Sequence, residues 1–204
     1  MVTKQGNLYF IDVNPAMKKA ALDFAVEIIS TDNQYSRLLP ENMRRSNNFN
    51  LKQKLEIQRT FVGKLGEIVF REFLISQGKE SNDNQMFEIF EGQMNVDKFD
   101  FETKDNQSVD IKSGFRKIHK RLLVNVEQFD RNPKKYYVAV WFNGADSDEN
   151  NKLIVLNSIT QGIIYGYATY ADLTRAEVKN FGEGDARSIF YNQLRGIDNL
   201  LDKF

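Results

Sequence analysis

The run at residues 135–142, K-Y-Y-V-A-V-W-F, constrains this chain most. Successive side chains of a strand point to opposite faces. A strand that is apolar at nearly every position is therefore covered on both faces, which places it in the middle of a layered sheet. Asn132-Pro133 breaks whatever precedes it, and a polar loop over residues 144–151 follows it.

The rest of the chain supplies candidate layers. Asn14 is placed to cap a helix with Pro15 in its first position, and Met17, Ala20, Ala21, Phe24, Ala25, Ile28 and Ile29 form its apolar stripe. Residues 31–50 read as a polar loop with short helical turns. A long helix is predicted over about 51–77, with Leu51, Ile57, Phe61, Leu65, Ile68 and Ile75 at helical spacing and Gly78 as its stop. Strands are predicted near 86–91, 97–103 and 107–113, then strand and short turn over 122–129, and a strand at 153–156. Gly162-Ile-Ile-Tyr165-Gly-Tyr167 reads as strand and turn with packing tyrosines: it resembles one triplet of the GIY-YIG nuclease signature but lacks the second. The tail from Ala171 onward reads as mainly helical. The expected class is α/β, a mixed sheet between helices. At 204 residues the chain is expected to be one domain. It comprises an N-terminal helical part about 1–50, a core about 51–142, and a C-terminal strand and helical part about 143–204.

Composition removes most chemistries. There is no cysteine and one histidine, His119, set among cations. That excludes zinc sites built on cysteine or histidine pairs and cysteine nucleophiles. It also disfavours a serine triad, whose imidazolium those cations would oppose. Carboxylates, lysine, tyrosine and an oxygen-bound metal remain. Lys and Arg total 28, as do Asp and Glu, so any attraction to nucleic acid is local. No apolar run approaches the roughly 20 residues of a membrane span, and the N-terminus lacks a signal-peptide core. The expectation is a cytoplasmic, intracellular protein.

Charge is concentrated around residues 97–121, D-K-F-D-F-E-T-K-D-N-Q-S-V-D-I-K-S-G-F-R-K-I-H-K-R. Nine acids lie between residues 80 and 110, opposed by Lys98 and Lys104. Five cations and no acid lie between 112 and 121. The stretch reads as two short strands joined by a turn. Asp110 and Lys112 share one face of the second strand, and Asp100 and Glu102 share one face of the first. For Asp100 to oppose Asp110, opposed residues must sum to 210. That pairs Thr103 with Gln107, leaves Lys104-Asp105-Asn106 as the loop, and gives Asn106 the left-handed position. Carboxylates and one ammonium then converge, as a hard divalent cation requires. Asp97 falls on the opposite face and reads as a strand-start residue; Glu102 reads as exposed near the turn. Arg116, Lys117, Lys120 and Arg121 follow directly and are candidate phosphate contacts. A second basic stretch, including Arg37, Arg44, Arg45 and Arg59, is either a further phosphate surface or plain solvated surface.

These motifs resemble the PD-(D/E)xK nuclease superfamily, the fold of many type II restriction endonucleases. Gly66-Glu67 matches the helix motif, Asp100 the lone acid, and Asp110-Ile111-Lys112 the D-x-K. The likeness covers roughly residues 63–142, and Phe99 stands where the family often has proline. It implies a restriction-endonuclease-like mixed sheet of four or five strands flanked by helices, Mg²⁺ with Mn²⁺ as a substitute, and double-stranded DNA as substrate. It further implies metal ligands Asp100 and Asp110 with the Ile111 carbonyl. Lys112 would polarise or orient the attacking water. Glu67 has two readings: a ligand for a second metal or its water, or an exposed helix residue paired with Arg71. The leading expectation is a homodimeric restriction endonuclease cutting a short duplex site. The alternatives are a junction-resolvase-like repair or recombination nuclease, and a DNA-binding module without turnover.

Overall fold

The structure is a computed structural model, and it describes residues 1–30, 39, 43, 45, 47–81, 86–89, 100–115, 120–144, 146–148 and 153–204. The apolar run at the centre of the sequence is strand β6, Tyr136–Phe142. It lies inside a six-stranded sheet of order β1-β2-β9-β6-β4-β3. The other strands are β1 Val2–Gln5, β2 Leu8–Asp12, β3 Phe101–Glu102, β4 Ser108–Gly114 and β9 Gln161–Thr169. β4 runs parallel to β6 and the other neighbours are antiparallel. The protein is therefore mixed α/β.

Helices α1, Pro15–Ser30, and α2, Phe49–Ser76, cover one face of the sheet. Asn14 caps α1 by accepting the Met17 N–H at 2.9 Å. Asn48 does the same for α2 through the Leu51 N–H at 3.0 Å. Gly78, at φ 67, ends α2: its N–H reaches the Ile75 carbonyl and the Lys79 N–H reaches the Leu74 carbonyl. Lying between α1 and the sheet, α2 buries side chains nearly all round, including Phe61, Phe70, Phe73 and Leu74. Ile75 departs from the expected stripe and is 54% exposed. Val138 and Val140 of β6 join this core, together with Val109 and Ile111.

The other face carries a second core. Tyr137 and Ala139 pack there with Leu122, Val124, Phe129 and Leu173. The covering comes from a three-stranded sheet, order β10-β11-β5, and two short helices. These are β5 Arg121–Asn125, α3 Val126–Arg131, α4 Tyr170–Thr174, β10 Glu177–Asn180 and β11 Asp185–Phe190. A strand apolar on both faces thus has an apolar cover on both, as its composition requires.

Four expectations are corrected. The first residues form a hairpin, β1–β2, turning at Gly6 with φ 59, and β2 extends the sheet beyond β9. Among the described residues this hairpin brings the sheet to six strands instead of four or five. The strand expected near 86–91 is absent over residues 86–89, where Met86 and Phe87 form a turn. Met86 is buried in the core and its carbonyl accepts the Lys64 ammonium, so tertiary contacts override local strand preference. Residues 90–91 and 97–99 lie outside the described residues. The loop at 144–151 contains β7, Asp146–Asp148, paired with β8, Leu153–Ile154. The tail is not mainly helical. Beyond α4 it is the β10–β11 hairpin, turned through Gly182 and Gly184 at positive φ, and then the short helix α5, Asp198–Leu201.

Candidate active site

The β3–β4 hairpin has the register that opposing Asp100 to Asp110 demands. Phe101 pairs with Val109 and Glu102 with Ser108, so opposed numbers sum to 210. The Thr103 N–H donates to the Gln107 carbonyl at 3.0 Å, and Asn106 has φ 55. Asn106 accepts this left-handed geometry at low cost because its short polar side chain tolerates it. Regular pairing stops at Phe101. The Asp100 N–H donates to the Val109 carbonyl at 3.1 Å, and its carboxylate accepts the Ile111 N–H at 2.6 Å. A side-chain oxygen has taken the place of a strand carbonyl, which pins Asp100 against β4.

Asp110 and Lys112 share a face of β4, and Lys112 Nζ lies 2.6 Å from Asp110 Oδ2. The contact is an ion pair without hydrogen-bond alignment, so this buried carboxylate oxygen makes no hydrogen bond among the described residues. The Lys112 ammonium donates to Gln128 Oε1 on α3 at 3.0 Å. Burial, and after it the charges of Glu67 and Asp110, push the Asp100 carboxyl well above the usual carboxylate range. The Ile111 N–H and the Lys112 ammonium pull the other way and lose. The Glu67 and Asp110 charges therefore both bear on Asp100 at this end of β4.

Glu67 reaches the cluster because α2 comes unusually close to β4. A Cβ on Gly66 would lie 1.9 Å from Ser113 Oγ and 3.4 Å from Ile111 Cγ2. A larger residue there would make Ser113 turn aside and the two elements give slightly. The Glu67 side chain is 15% exposed and its carboxylate lies 2.5 Å from Lys64 Nζ, so it is turned inward, with a partner one turn back in the helix. Lys64 is itself buried, bonded to the Met86 carbonyl and set 4.3 Å from the centre of the Phe24 ring.

The basic flank divides. Arg116, Lys117 and His119 lie outside the described residues. Lys120 is exposed. Arg121 opens β5 and is engaged within the second sheet: it pairs with Glu177 at 2.7 Å, donates to Ser188 at 2.9 Å, and stacks 3.8 Å from the Phe190 ring centre. Arg59 of the second basic stretch forms a two-pronged pair with Glu183 in the β10–β11 turn. Tyr165 and Tyr167 pack on other tyrosines, Tyr191 at 4.3 Å and Tyr136 at 5.8 Å between ring centres.

Three polar residues of the cluster escape a reading of the sequence. Lys64 falls inside an apolar stripe, and its spacing of three from Glu67 was the available signal. Gln128 joins through a crossover whose path no local pattern reveals. Lys134 stands beside the helix-breaking Pro133 and looks like loop surface, yet it is 5% exposed.

Among the described residues, no group of three or more carboxylate and imidazole side chains is arranged to hold one cation. The donor chemistry nonetheless suits Mg²⁺. That ion commonly uses one or two carboxylates and completes its shell with water and phosphate. Asp100 and Asp110 offer two carboxylates, one with a buried oxygen lacking a hydrogen bond. Among the described residues no helix is long and apolar enough to cross a membrane. Comparison of the chain with family models, curated proteins and solved structures finds no match in any of the three.

Proposed function

We propose that this protein is a Mg²⁺-dependent DNA endonuclease on a restriction-endonuclease-like fold, cutting both strands of a short duplex site as a homodimer. The observation that supports this best is the hairpin register, which sets Asp100 against the Asp110-Ile111-Lys112 strand beside an inward-turned glutamate. Sequence spacing alone leaves those residues free to point apart; the register brings them together.

Asp100 and Asp110 would hold the cation, with the Ile111 carbonyl as a further ligand and Glu67 as the group for a second cation or an ordered water. When bound, Mg²⁺ acidifies water and neutralises charge on the phosphate. The chain's own residues do the rest. Asp110 holds Lys112 by charge, and Gln128 fixes the ammonium from its other side. Held so, Lys112 can orient the attacking water and stabilise the oxygen charge that develops on the scissile phosphate. The α2 wall and the second core screen this end of β4 from bulk water, which strengthens each charge interaction there. Lys120, with Lys117 and Arg116 on the same stretch of chain, would contact flanking phosphates.

The test is digestion of a DNA of known sequence with Mg²⁺, with Mn²⁺ and with EDTA, using Asp110→Asn as control. Discrete fragments that depend on the metal and vanish in the variant support the reading. Retained cleavage by folded Asp110→Asn refutes the site. Preference for branched over linear duplex would assign a resolvase role instead.

A further inference from the structure

Lys64 lies inside α2, where a lysine ordinarily reaches solvent, yet it is 4% exposed. Three elements close around its ammonium. Its own helix supplies the Glu67 carboxylate, one turn on, at 2.5 Å. The turn at Met86 supplies a backbone carbonyl, which accepts another of its N–H groups. Helix α1 supplies the Phe24 ring, whose centre lies 4.3 Å from Nζ, and the Phe87 ring centre follows at 5.8 Å. The two rings meet edge to face, 6.2 Å apart. Two of the three ammonium donors are thus bonded, and the ring quadrupoles add their attraction for the charge. A lysine held in this way is fixed in position as well as buried.

Glu67 is the other end of this ion pair. Gly66 brings its stretch of α2 against Ile111 and Ser113 of β4, so the pair stands beside the strand that carries Asp110. A divalent cation held by Glu67 would lie about 2 Å from that carboxylate. It would face a fixed ammonium with no solvent to withdraw into, in surroundings that screen charge poorly. Withdrawal would also break the bond to Met86 and separate a buried ion pair, which is strongly unfavourable. We propose that Lys64 is a positioning residue that occupies the place of a second cation at Glu67: it holds the carboxylate turned inward as an acceptor for an ordered water, and it limits the site to one divalent cation, that of Asp100 and Asp110. This inference rests on the metal site assigned above and decides between the two roles given there to Glu67.

The experiment counts Mn²⁺ bound per full chain, without DNA, from the loss of the free-ion electron paramagnetic resonance signal. It compares wild type, Lys64→Met, Lys64→Gln, Lys64→Arg, the double variant Lys64→Met with Glu67→Gln, and Asp110→Asn. Folding of each is checked by circular dichroism. Wild type and Lys64→Arg, which keeps the charge, should bind a single ion. Lys64→Met should bind a second, because no ammonium then repels a cation arriving at Glu67, and the double variant should lose that second ion again. Lys64→Gln should follow Lys64→Met, and serves in its place if the methionine variant does not fold. A merely structural lysine gives a different result: a loosened site binds its ion more weakly and gains none. A second ion in wild type overturns the inference, and so does a single ion in the folded neutral Lys64 variants. In both cases a lower count in Asp110→Asn shows that the metal site stands. If wild type takes up no Mn²⁺, the metal site fails and the inference with it.

Discussion

Gly66→Ala isolates the contact that brings α2 onto the site strand. On helix propensity alone the change should stabilise the protein by about 1 kcal/mol, because Gly66 lies well inside a helix. The structure reverses that sign. The added methyl would sit 1.9 Å from Ser113 Oγ and 3.2 Å from Ser113 Cβ. Rotation of the serine can clear the first clash, and the second asks α2 and β4 to give by a few tenths of an ångström. Overpacking of this kind costs about 1–3 kcal/mol. Set against the propensity gain, the net loss should be at most about 2 kcal/mol, or a fall of at most about 8 °C in Tm for a chain of this size. Urea unfolding measures it directly. Ser113→Ala supplies the control. The Ser113 hydroxyl has no hydrogen-bond partner among the described residues, so its removal alone should be near neutral. In that background, which removes the hydroxyl and keeps the Cβ, Gly66→Ala should be spared the cost of turning the serine aside and lose about 0.5 kcal/mol less, a coupling that identifies the pair. Any displacement of α2 also carries Glu67 away from Asp100, so cleavage should fall further than stability does. Stabilisation by about 1 kcal/mol in both backgrounds would refute the close approach.

Other expectations follow from the same geometry. Asp110→Asn and Lys112→Ala should each abolish cleavage while the urea midpoint stays close to wild type, and a nicking assay beside an unfolding curve checks both. Thr169→Ala should cost about 1 kcal/mol, because Thr169 and Asp172 satisfy each other's backbone N–H groups at the start of α4. The Arg195 guanidinium, at 2.7 and 2.9 Å, holds the Asp172 carboxyl well below the usual carboxylate range. Its stabilisation is fully present above the ordinary carboxylate pKa and is lost as pH falls through the depressed one. Asp172→Asn should therefore flatten the acid limb of a stability–pH curve; an unchanged limb would refute the pairing. Lys120→Ala should lower DNA affinity for all sequences and reduce the salt slope by about one, whereas Arg121→Ala should chiefly lower stability, because Arg121 is occupied by Glu177, Ser188 and Phe190.

What the sequence revealed, and what it hid, divides by range. The β3–β4 turn was legible because period two and a shared face for Asp100 and Asp110 leave one register, and Asn106 was the residue able to take the left-handed position. Central β6 was legible because eight successive residues lacked alternation. Asn14 and Gly78 were legible because they bound their helices through short-range hydrogen bonds that reach three to five residues along the chain. The first hairpin was hidden because L-Y-F-I-D does not alternate in polarity, although only Tyr9 and Ile11 are buried. The β10–β11 hairpin was hidden because every side chain of β10 is exposed, so burial left no period in its composition. Lys64 and Lys134 illustrate the same limit: a lysine reads as surface until packing from other elements encloses it, as Phe24 and the Met86 carbonyl enclose Lys64.

The pairing of β2 with β9 sets Tyr9 beside Ile164 and Asp12 beside Gln161. During synthesis at about 5–20 residues per second, β2 leaves the ribosome roughly 10–30 s before its partner strand exists. Throughout that interval one edge of the first hairpin has no native neighbour, and the apolar side chains of Tyr9 and Ile11 have no sheet to cover them. An unpaired edge of that kind invites other chains. This pairing therefore waits on a long-range contact, made with a strand that is itself bent by a bulge opposite Ala139 and Val140. Substitutions that slow the joining of β9, such as a larger residue at Gly166, whose Cβ would meet the Arg195 carbonyl at 2.3 Å, should show first as insoluble protein in growing cells, before any change in the activity of the molecules that do fold.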